Sequence, residues 1–351
     1  MIKVLAFPAY KNKDSNPYNY LLYSGIEKQG VDVKEFSFKR SLSLKYDLIH
    51  IHWPEFYLNS HYLLKAFLYT SMFIFCLMFS KVFGKKIIWT AHNLKAHSIK
   101  YPRLSKYFWA TYLPLVDGVI SLSKANEKLF FDRFNFKQKI QSTVIHHGLY
   151  DGYYQNNTSK QAAKKYFSID ESKKVCLFIG QVKAYKNVEA LVKLFNKEKA
   201  LDNVVLIIAG KFESKAYFDQ VNLQARANEN IIIHNKFILD NDLQYYFNAA
   251  EICLLPFKDI FNSGSVLLSA SFKTPVIVPK SDNFVEYAEL IGEGMINTYV
   301  NNIDDKLIMQ RLTDSEMPLE IVPSNLSWDI LQSKLSQYYK GILRYTNNDA
   351  R

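Results

Sequence analysis

Three cysteines in 351 residues are too few for a disulfide framework, and Cys76, Cys176 and Cys253 each sit inside an apolar run without metal-ligand spacing. They read as small core hydrophobes in a reducing compartment, so a cytoplasmic location is expected. The N-terminus, Met1-Ile-Lys-Val-Leu-Ala-Phe7, lacks the long apolar region and cleavage site of a secretory signal and reads as a buried first strand. Although the formal net charge is +11, no long run of like charges occurs, which argues against a nucleic-acid partner. A positive excess spread among apolar residues suits an acidic membrane surface or a diphosphate substrate. No Asp-x-Asp triplet suited to a divalent cation is present, and Asp304-Asp305 falls in a polar stretch with no strand end, so no metal is expected. Internal repeats and low-complexity segments are also missing.

What is present is an alternation. A chain of 351 residues with 48% hydrophobic content is long enough for two cores. In the first half, strand-like runs at Ile2–Phe7, Val31–Phe36, Asp47–His52, Lys86–Thr90, Gly118–Leu122 and Ser142–Ile145 are separated by helical stretches near Pro17–Gln29, His61–Val82, Leu104–Leu113 and Lys124–Phe131. Asn16-Pro17 supplies an N-cap and a first-turn proline. The second half repeats the plan, with strands at Val175–Ile179, Val204–Ala209, Ile231–Ile233, Ile252–Leu255 and Pro275–Val278 and helices near Val188–Asn196, Lys215–Asn228, Asp240–Ala249 and Val266–Phe272. Such alternation predicts an α/β chain of two Rossmann-like, doubly wound parallel-sheet domains. The expected boundaries are 1–150 and 160–325, with a polar linker at Asp151–Ser159 and a C-terminal helix in 326–351 that crosses back to the first domain.

Between Lys65 and Lys81 the chain is apolar nearly all round, more than one buried face requires. The apolar stretch is shorter than the roughly 20 residues needed to span a bilayer, so a crossover helix is expected. Its outer face suits a membrane interface, with Lys81, Lys85 and Lys86 near anionic headgroups.

Three segments carry the chemistry. The apolar run Val175–Ile179 breaks at Gly180 into a loop bearing Lys183 and Lys186, and a helical pattern begins at Val188. That layout turns backbone and ammonium donors toward an anion at a strand end. Asn262-Ser263-Gly264-Ser265 then opens a helix and offers N–H groups and hydroxyls to phosphate oxygens, ahead of Thr274-Pro-Val-Ile-Val-Pro279. Histidines concentrate in the first half: His50, His52, His61, His92, His97, His146 and His147 precede the linker, and His234 alone follows it.

With Asn16-Pro-Tyr, His50-Ile-His-Trp-Pro-Glu55, Trp89-Thr-Ala-His-Asn93 with His97, Val119-Ile-Ser-Leu-Ser123, His147-Gly148 and Ser327-Trp328, these segments cover almost the whole chain. In that order they resemble the two-domain (GT-B fold) bacterial glycosyltransferases of polysaccharide assembly, those of family 4 and the β-mannosyltransferase groups. The resemblance implies a cytoplasmic, membrane-associated hexosyltransferase acting on a nucleotide diphosphate sugar, GDP-mannose or a UDP-sugar, and a lipid-linked saccharide acceptor, with no cofactor. It places His92 beside the donor sugar and Glu286 near the donor's hydroxyls. Two departures matter. Family-4 members usually carry arginine after the loop glycine, where this chain has Gln181, and two glutamates where it has Ile260 and Leu268. Lys183 and Lys186 must then supply the cations, and an inverting mechanism is expected. Inversion needs a first-domain base. His92 and Glu55 are the candidates, with sugar-hydroxyl binding or a strand-end structural role the other readings of His92 and loop capping that of Glu55. An epimerase of the same fold and a catalytically inactive binding subunit remain the competing functions.

Overall fold

The computed structural model describes residues 1–93, 100–134, 136, 138–258, 262–292, 294–314 and 324–344, and His97 and Ile260 lie outside these. The chain divides into two compact units, Met1–Gly148 with Ser324–Arg351, and Leu149–Pro323.

The first unit holds a sheet of β1 (Ile2–Phe7), β2 (Val31–Glu35), β3 (Leu48–Ile51), β4 (Lys86–Ala91), β5 (Gly118–Ser121) and β6 (Gln141–Val144), in the order β2-β1-β3-β4-β5-β6. Every pairing is parallel. Helices α1 (Tyr18–Tyr23), α2 (Phe38–Leu42), α3 (Leu63–Val82), α4 (Pro102–Tyr112) and α5 (Lys124–Arg133) connect them. Because both faces are covered, the central strands are apolar on both sides, and alternate residues feed two cores. Ile49, Ile51, Trp89 and Val119 face one core with Phe73 and Phe108, whereas Leu48, Ile88 and Ile120 face the other with Leu331, Leu335 and Tyr339.

Those last three residues belong to a helix at the far end of the chain, Trp328–Arg344, which completes the second core of this unit. It is tied there by Gln332, whose side-chain amide donates to Leu21 O at 3.0 Å and Ser24 O at 2.7 Å. Tyr338 donates to Gln141 O at 2.8 Å.

The helix expected over 17–29 is interrupted. Asn16 Oδ1 accepts from Tyr18 N at 3.1 Å ahead of α1, whose N-cap position is Pro17 and not the expected Asn16. The chain then leaves the helical path at Gly25, whose φ of 86° belongs to the left-handed region, and resumes as a short 3-10 turn, Ile26–Gln29. Helix α3 runs for 20 residues and is by length and apolarity long enough to cross a membrane, a correction to the shorter apolar span expected from the sequence. It nevertheless serves as the crossover between neighbouring parallel strands β3 and β4, with Ala66, Thr70, Phe73, Ile74 and Leu77 buried. The lysine expectation also needs correcting. Lys81 Nζ lies 2.7 Å and Lys86 Nζ 3.6 Å from Asp117, which also accepts from Ile87 N at 2.8 Å. Of the three lysines only Lys85 is outside that network, its Nζ 5.6 Å above the Tyr46 ring.

The second unit repeats the architecture with β7 (Lys174–Ile179), β8 (Val204–Ala209), β9 (Ile231–His234), β10 (Ile252–Leu254), β11 (Val276–Pro279) and β12 (Ile296–Tyr299), again all parallel, in the order β12-β11-β10-β7-β8-β9. Its helices are α6 (Lys160–Tyr166), α7 (Val188–Lys197), α8 (Lys215–Ala225), α9 (Leu243–Ala249), α10 (Gly264–Ser271), α11 (Asp282–Ile291) and α12 (Asp305–Asp314); the C-terminal helix of the first unit is α13. The polar stretch 151–159 is anchored on α9: Asn157 N and Thr158 Oγ1 donate to Gln244 Oε1 at 3.1 and 2.8 Å. Helix α6 escapes a hydrophobic-periodicity reading because its buried residues are Ala163 and Lys164. The Lys164 ammonium donates to Lys173 O at 2.7 Å and pairs with buried Glu251 at 3.3 Å, so a charge is retained in the interior with its partners in place.

The ends of β7 and β8 nearly touch. Gly210 has φ +147°, and a Cβ there would fall 1.8 Å from the Gly180 carbonyl oxygen. We expect Gly210→Ala to destabilise the second unit, since backbone strain alone costs about 1–3 kcal/mol and each kcal/mol lowers Tm by about 2–4 °C in units of this size. Gly152→Ala, at φ +70° with open space around it, is the matched control. Calorimetry showing equal Tm for the two variants would mean that the β7–β8 junction yields freely.

Candidate active site

The second unit builds an anion cradle at the C-terminal ends of its central strands, the edge where open parallel sheets bind ligands. Strand β7 is buried from Val175 to Ile179, and Gly180, with φ +126°, turns the chain out of the sheet. Val182 bridges to Phe212, and Ala184 N donates to Glu213 Oε1 at 3.0 Å. Lys183 precedes a 3-10 turn, Ala184–Lys186, after which Asn187 adopts φ 58° and the chain enters α7. This path folds Lys186 back over the glycine. Its Nζ lies 3.1 Å, and Ser265 Oγ 3.2 Å, from the space that a Cβ on Gly180 would fill. Any larger residue at position 180 would therefore crowd both groups.

Lys186 has no ion pair among the described residues; its Nζ stands 5.8 Å from the Phe257 ring centroid. Burial, reinforced by Lys183, pulls its pKa down to about 8. A cation held this way gains from an anionic ligand. Opposite it, α10 begins at Gly264 with Ser263 at the N-cap, and the Ser263 side chain makes no capping hydrogen bond, so the first N–H groups of the helix are open to another acceptor. Asn262, Ser263 and Ser265 are half-buried here, and Gly264 is exposed. Gly180, Lys186 and Ser265 are thus brought together, with Lys183 on the same loop. Glu286 stands on α11, half-buried.

The first unit carries a second constellation at the corresponding ends of β3 and β4. His50, His52, His92 and His147 are all buried. His52 Nδ1 lies 3.0 Å from His92 Nε2, and the Trp53 ring stacks on His92 at 4.4 Å. Tyr18 of α1 meets His92 edge-on at 4.9 Å and His147 at 4.7 Å. Burial lowers the pKa of His50 to about 3 and of His147 to about 4, and it drives His52 and His92 well down too, helped by their histidine neighbours. The cluster is uncharged at neutral pH. Glu55 follows in the turn Pro54–Asn59; burial raises its carboxyl pKa, and its charge acts on Tyr112 of α4. His147 donates from Nδ1 to Gly148 O at 2.7 Å, and a Cβ on Gly148 would strike the Trp328 ring at 2.7 Å, which fixes the chain end of this unit against α13.

Sequence reasoning counted His50 and His52 but gave them no role, and it passed over Tyr23, Thr90 and Tyr339, which bind them. The available signal was spacing. His50 and His52 lie two apart in a strand, as do Thr90 and His92, so each pair faces the same way in an otherwise apolar sheet. Among the described residues no group of three or more His, Cys, Asp or Glu is arranged to hold a metal ion.

Residues 159–306 match the family model described as glycosyl transferases group 1. The chain is 24% identical over 311 residues to a GDP-mannose:glycolipid 4-beta-D-mannosyltransferase of Xanthomonas campestris pv. campestris, covering 88% of this chain and 82% of the relative. Among solved structures it is similar to sucrose-phosphate synthase from Thermosynechococcus elongatus, with a TM-score of 0.68 and 13% identity over 99% of this chain and all of the other. It is also similar to WaaG, a glycosyltransferase involved in lipopolysaccharide biosynthesis, with a TM-score of 0.61 and 12% identity over 99% of this chain and 100% of that one. Anabaena Alr3699/HepE, solved with UDP and glucose, gives a TM-score of 0.58 and 14% identity over 98% of both chains. At these identities the structures show a common fold. The two parallel-sheet units, with the C-terminal helix returned to the first, define a GT-B architecture. Together with the family match in the second unit and the similarity to the mannosyltransferase, they support a hexosyltransferase of GT-B fold.

The lowered Lys186 pKa generates a proton-linkage prediction. At pH 9 the ammonium of the free protein is largely deprotonated, and a diphosphate beside it favours the charged form, so binding draws a proton from solvent. Calorimetric titration with GDP or UDP in buffers of different ionisation enthalpy should show uptake approaching one proton at pH 9 and little at pH 7. Lys186→Met should abolish the uptake at pH 9. Proton-neutral binding at both pH values would remove Lys186 from the phosphate site.

Proposed function

We propose that this chain transfers a hexose, mannose in the first instance, from a nucleotide diphosphate sugar to a lipid-linked saccharide at the cytoplasmic face of a membrane, with inversion at the anomeric carbon. The observation that carries this reading is the convergence of Lys186 Nζ and Ser265 Oγ on Gly180, at a strand end facing an open helix N-terminus. Those groups suit a diphosphate leaving group. As the sugar–phosphate bond breaks, its electron pair departs with the diphosphate, and Lys183, Lys186 and the first N–H groups of α10 stabilise the growing charge. The acceptor oxygen bonds to the anomeric carbon from the opposite side, and its proton passes to a base on the first unit. Glu55, with its pKa raised by burial, and His92, an uncharged imidazole, are the groups chemically able to take it. GDP-mannose is the first donor to test because the mannosyltransferase relative is named for it, and a UDP-sugar is the second. No cofactor or metal is invoked.

The acceptor class and the peripheral membrane location rest on α3. Its outer face exposes Leu64 by 69%, Phe75 by 57% and Val82 by 81%, along with Leu68, Met72 and Met78, a contiguous apolar stripe on one unit. The inner face packs on the core of the sheet, which supports a helix that lies in an interface rather than one that crosses it. A soluble epimerase has no use for such a face, and a mere scaffold has none for a diphosphate cradle.

Three outcomes test the reading. An α-linked donor should give a β-linked product by NMR of the new anomeric signal, and an α-linked product would end the inverting mechanism. Lys186→Ala, folded by circular dichroism, should lose on the order of 1.5–3 kcal/mol of donor or transition-state stabilisation, with Lys183→Ala milder; unchanged kinetics in the former would remove the phosphate assignment. Co-sedimentation with vesicles should fall when Leu68 and Phe75 are both replaced by Ser, and recovery in the soluble fraction irrespective of vesicles would return α3 to a plain crossover.

A further inference from the structure

The loop that carries Lys186 is braced from both strands that flank β7, namely β8 and β10. Its path out of β7 is paired backbone to backbone with the chain beyond β8: Val182 N donates to Lys211 O at 3.0 Å, and Glu213 N to Val182 O at 3.0 Å. On the other flank, Lys258 N, just beyond β10, donates to Tyr185 O at 2.8 Å. Between these ties lies the 3-10 turn Ala184–Lys186, closed by Lys186 N on Lys183 O at 2.8 Å and Asn187 N on Ala184 O at 3.1 Å.

A helical turn leaves its first N–H groups without acceptors, and a polar N-cap side chain usually supplies one. Here the N-cap is Lys183, whose ammonium can only donate and makes no capping bond. The acceptor comes instead from Glu213 Oε1, 29 residues on, which takes the Ala184 N–H at 3.0 Å. Because the Glu213 backbone is already fixed on Val182, its carboxylate ties position 184 to position 182 and sets the direction in which the turn leaves the sheet. That direction decides where residue 186 ends. Lys186 Nζ stands 3.1 Å from the space of a Gly180 Cβ and 5.8 Å from the Phe257 ring centroid, a place that an unrestrained lysine would leave for water.

We infer that Glu213 is a positioning residue: by capping the turn Ala184–Lys186 from beyond β8, it keeps Lys186 against Gly180 before any ligand arrives. A donor phosphate then meets the ammonium without rearrangement of the loop. That benefit to the donor rests on the transferase reading, whereas the brace itself is a property of the free chain. The lowered pKa of Lys186 comes from burial and then from Lys183, with Cys253 opposing, so Glu213 acts on it through geometry and not through its charge.

The test is a pH titration of the ligand-free full chain, carbon-13 labelled at the lysine Cε, with the Lys186 signal assigned as the one lost in Lys186→Met. Wild type should titrate near pH 8. Glu213→Ala removes the cap, so Lys186 should swing into water and its midpoint rise by at least about one pH unit, toward the ordinary lysine value. Glu213→Gln keeps an acceptor without the charge and should stay with wild type. The inference is overturned by a wild-type midpoint already at the ordinary value, by an unmoved midpoint in Glu213→Ala, or by a Glu213→Gln midpoint shifted as far as that of Glu213→Ala. A contact that merely stabilises the fold would lower Tm in Glu213→Ala and leave the midpoint where it was. Calorimetric titration with GDP and UDP separates the brace from the donor reading. Glu213→Ala should weaken nucleotide binding roughly three- to tenfold and lose the proton uptake at pH 9, and Glu213→Gln should restore both. If wild type binds neither nucleotide while the Lys186 midpoints shift as expected, the phosphate reading falls and the brace stands. Affinity and proton uptake at wild-type strength in Glu213→Ala would show that the turn holds its shape unaided, and the brace falls.

Discussion

Parallel strand direction is the constraint from which the rest follows. Every pairing in both sheets is parallel, so all strand C-termini in a unit open on one edge, and the backbone groups released there need partners from loops, helix ends or ligands. The faces of each sheet are closed by helices. Polar chemistry is therefore confined to that edge, which is where the first unit carries its histidines and the second its lysine loop.

The two edges are electrically different for a physical reason. The first is assembled from side chains that share protons, and burial among one another keeps four imidazoles uncharged. The second relies on an ammonium pressed against a glycine, where desolvation and a neighbouring lysine make the charged form costly until an anion arrives. One edge suits hydroxyl groups, the other a diphosphate.

Much of this was legible in the sequence, and the failures are specific. Eleven of the twelve strands among the described residues were read almost to the residue because buried parallel strands are continuous apolar runs, whereas β12, Ile296–Tyr299, was missed because only its first two residues are buried and it has no such run. Helix α6 was missed because its interior face uses an alanine and a paired lysine. The break at Gly25 was missed because an apolar period continues through it. The destinations of Lys81 and Lys86 were misread because Asp117 is distant in sequence and only the β4–β5 pairing brings it near. The histidine cluster needs both Thr90 on a neighbouring strand and Tyr339 on the last helix, contacts that no local pattern announces.

The return of α13 to the first unit has a consequence for biogenesis. Leu331, Leu335 and Tyr339 fill a core otherwise made from residues before position 146, and Tyr339 reaches His50 across 289 positions of chain. During synthesis the amino-terminal sheet emerges first, yet the core that it shares with Tyr18, Leu22 and Ile26 stays incomplete until α13 leaves the ribosome, while the second unit, contiguous from Leu149 to Pro323, has already acquired all of its own strands. The order of completion is thus the inverse of the order of translation. The histidine edge can acquire its Tyr339 hydrogen-bond partner only after position 339 has been made, so a chain terminated before it is left with an intact lysine cradle and an unfinished imidazole array.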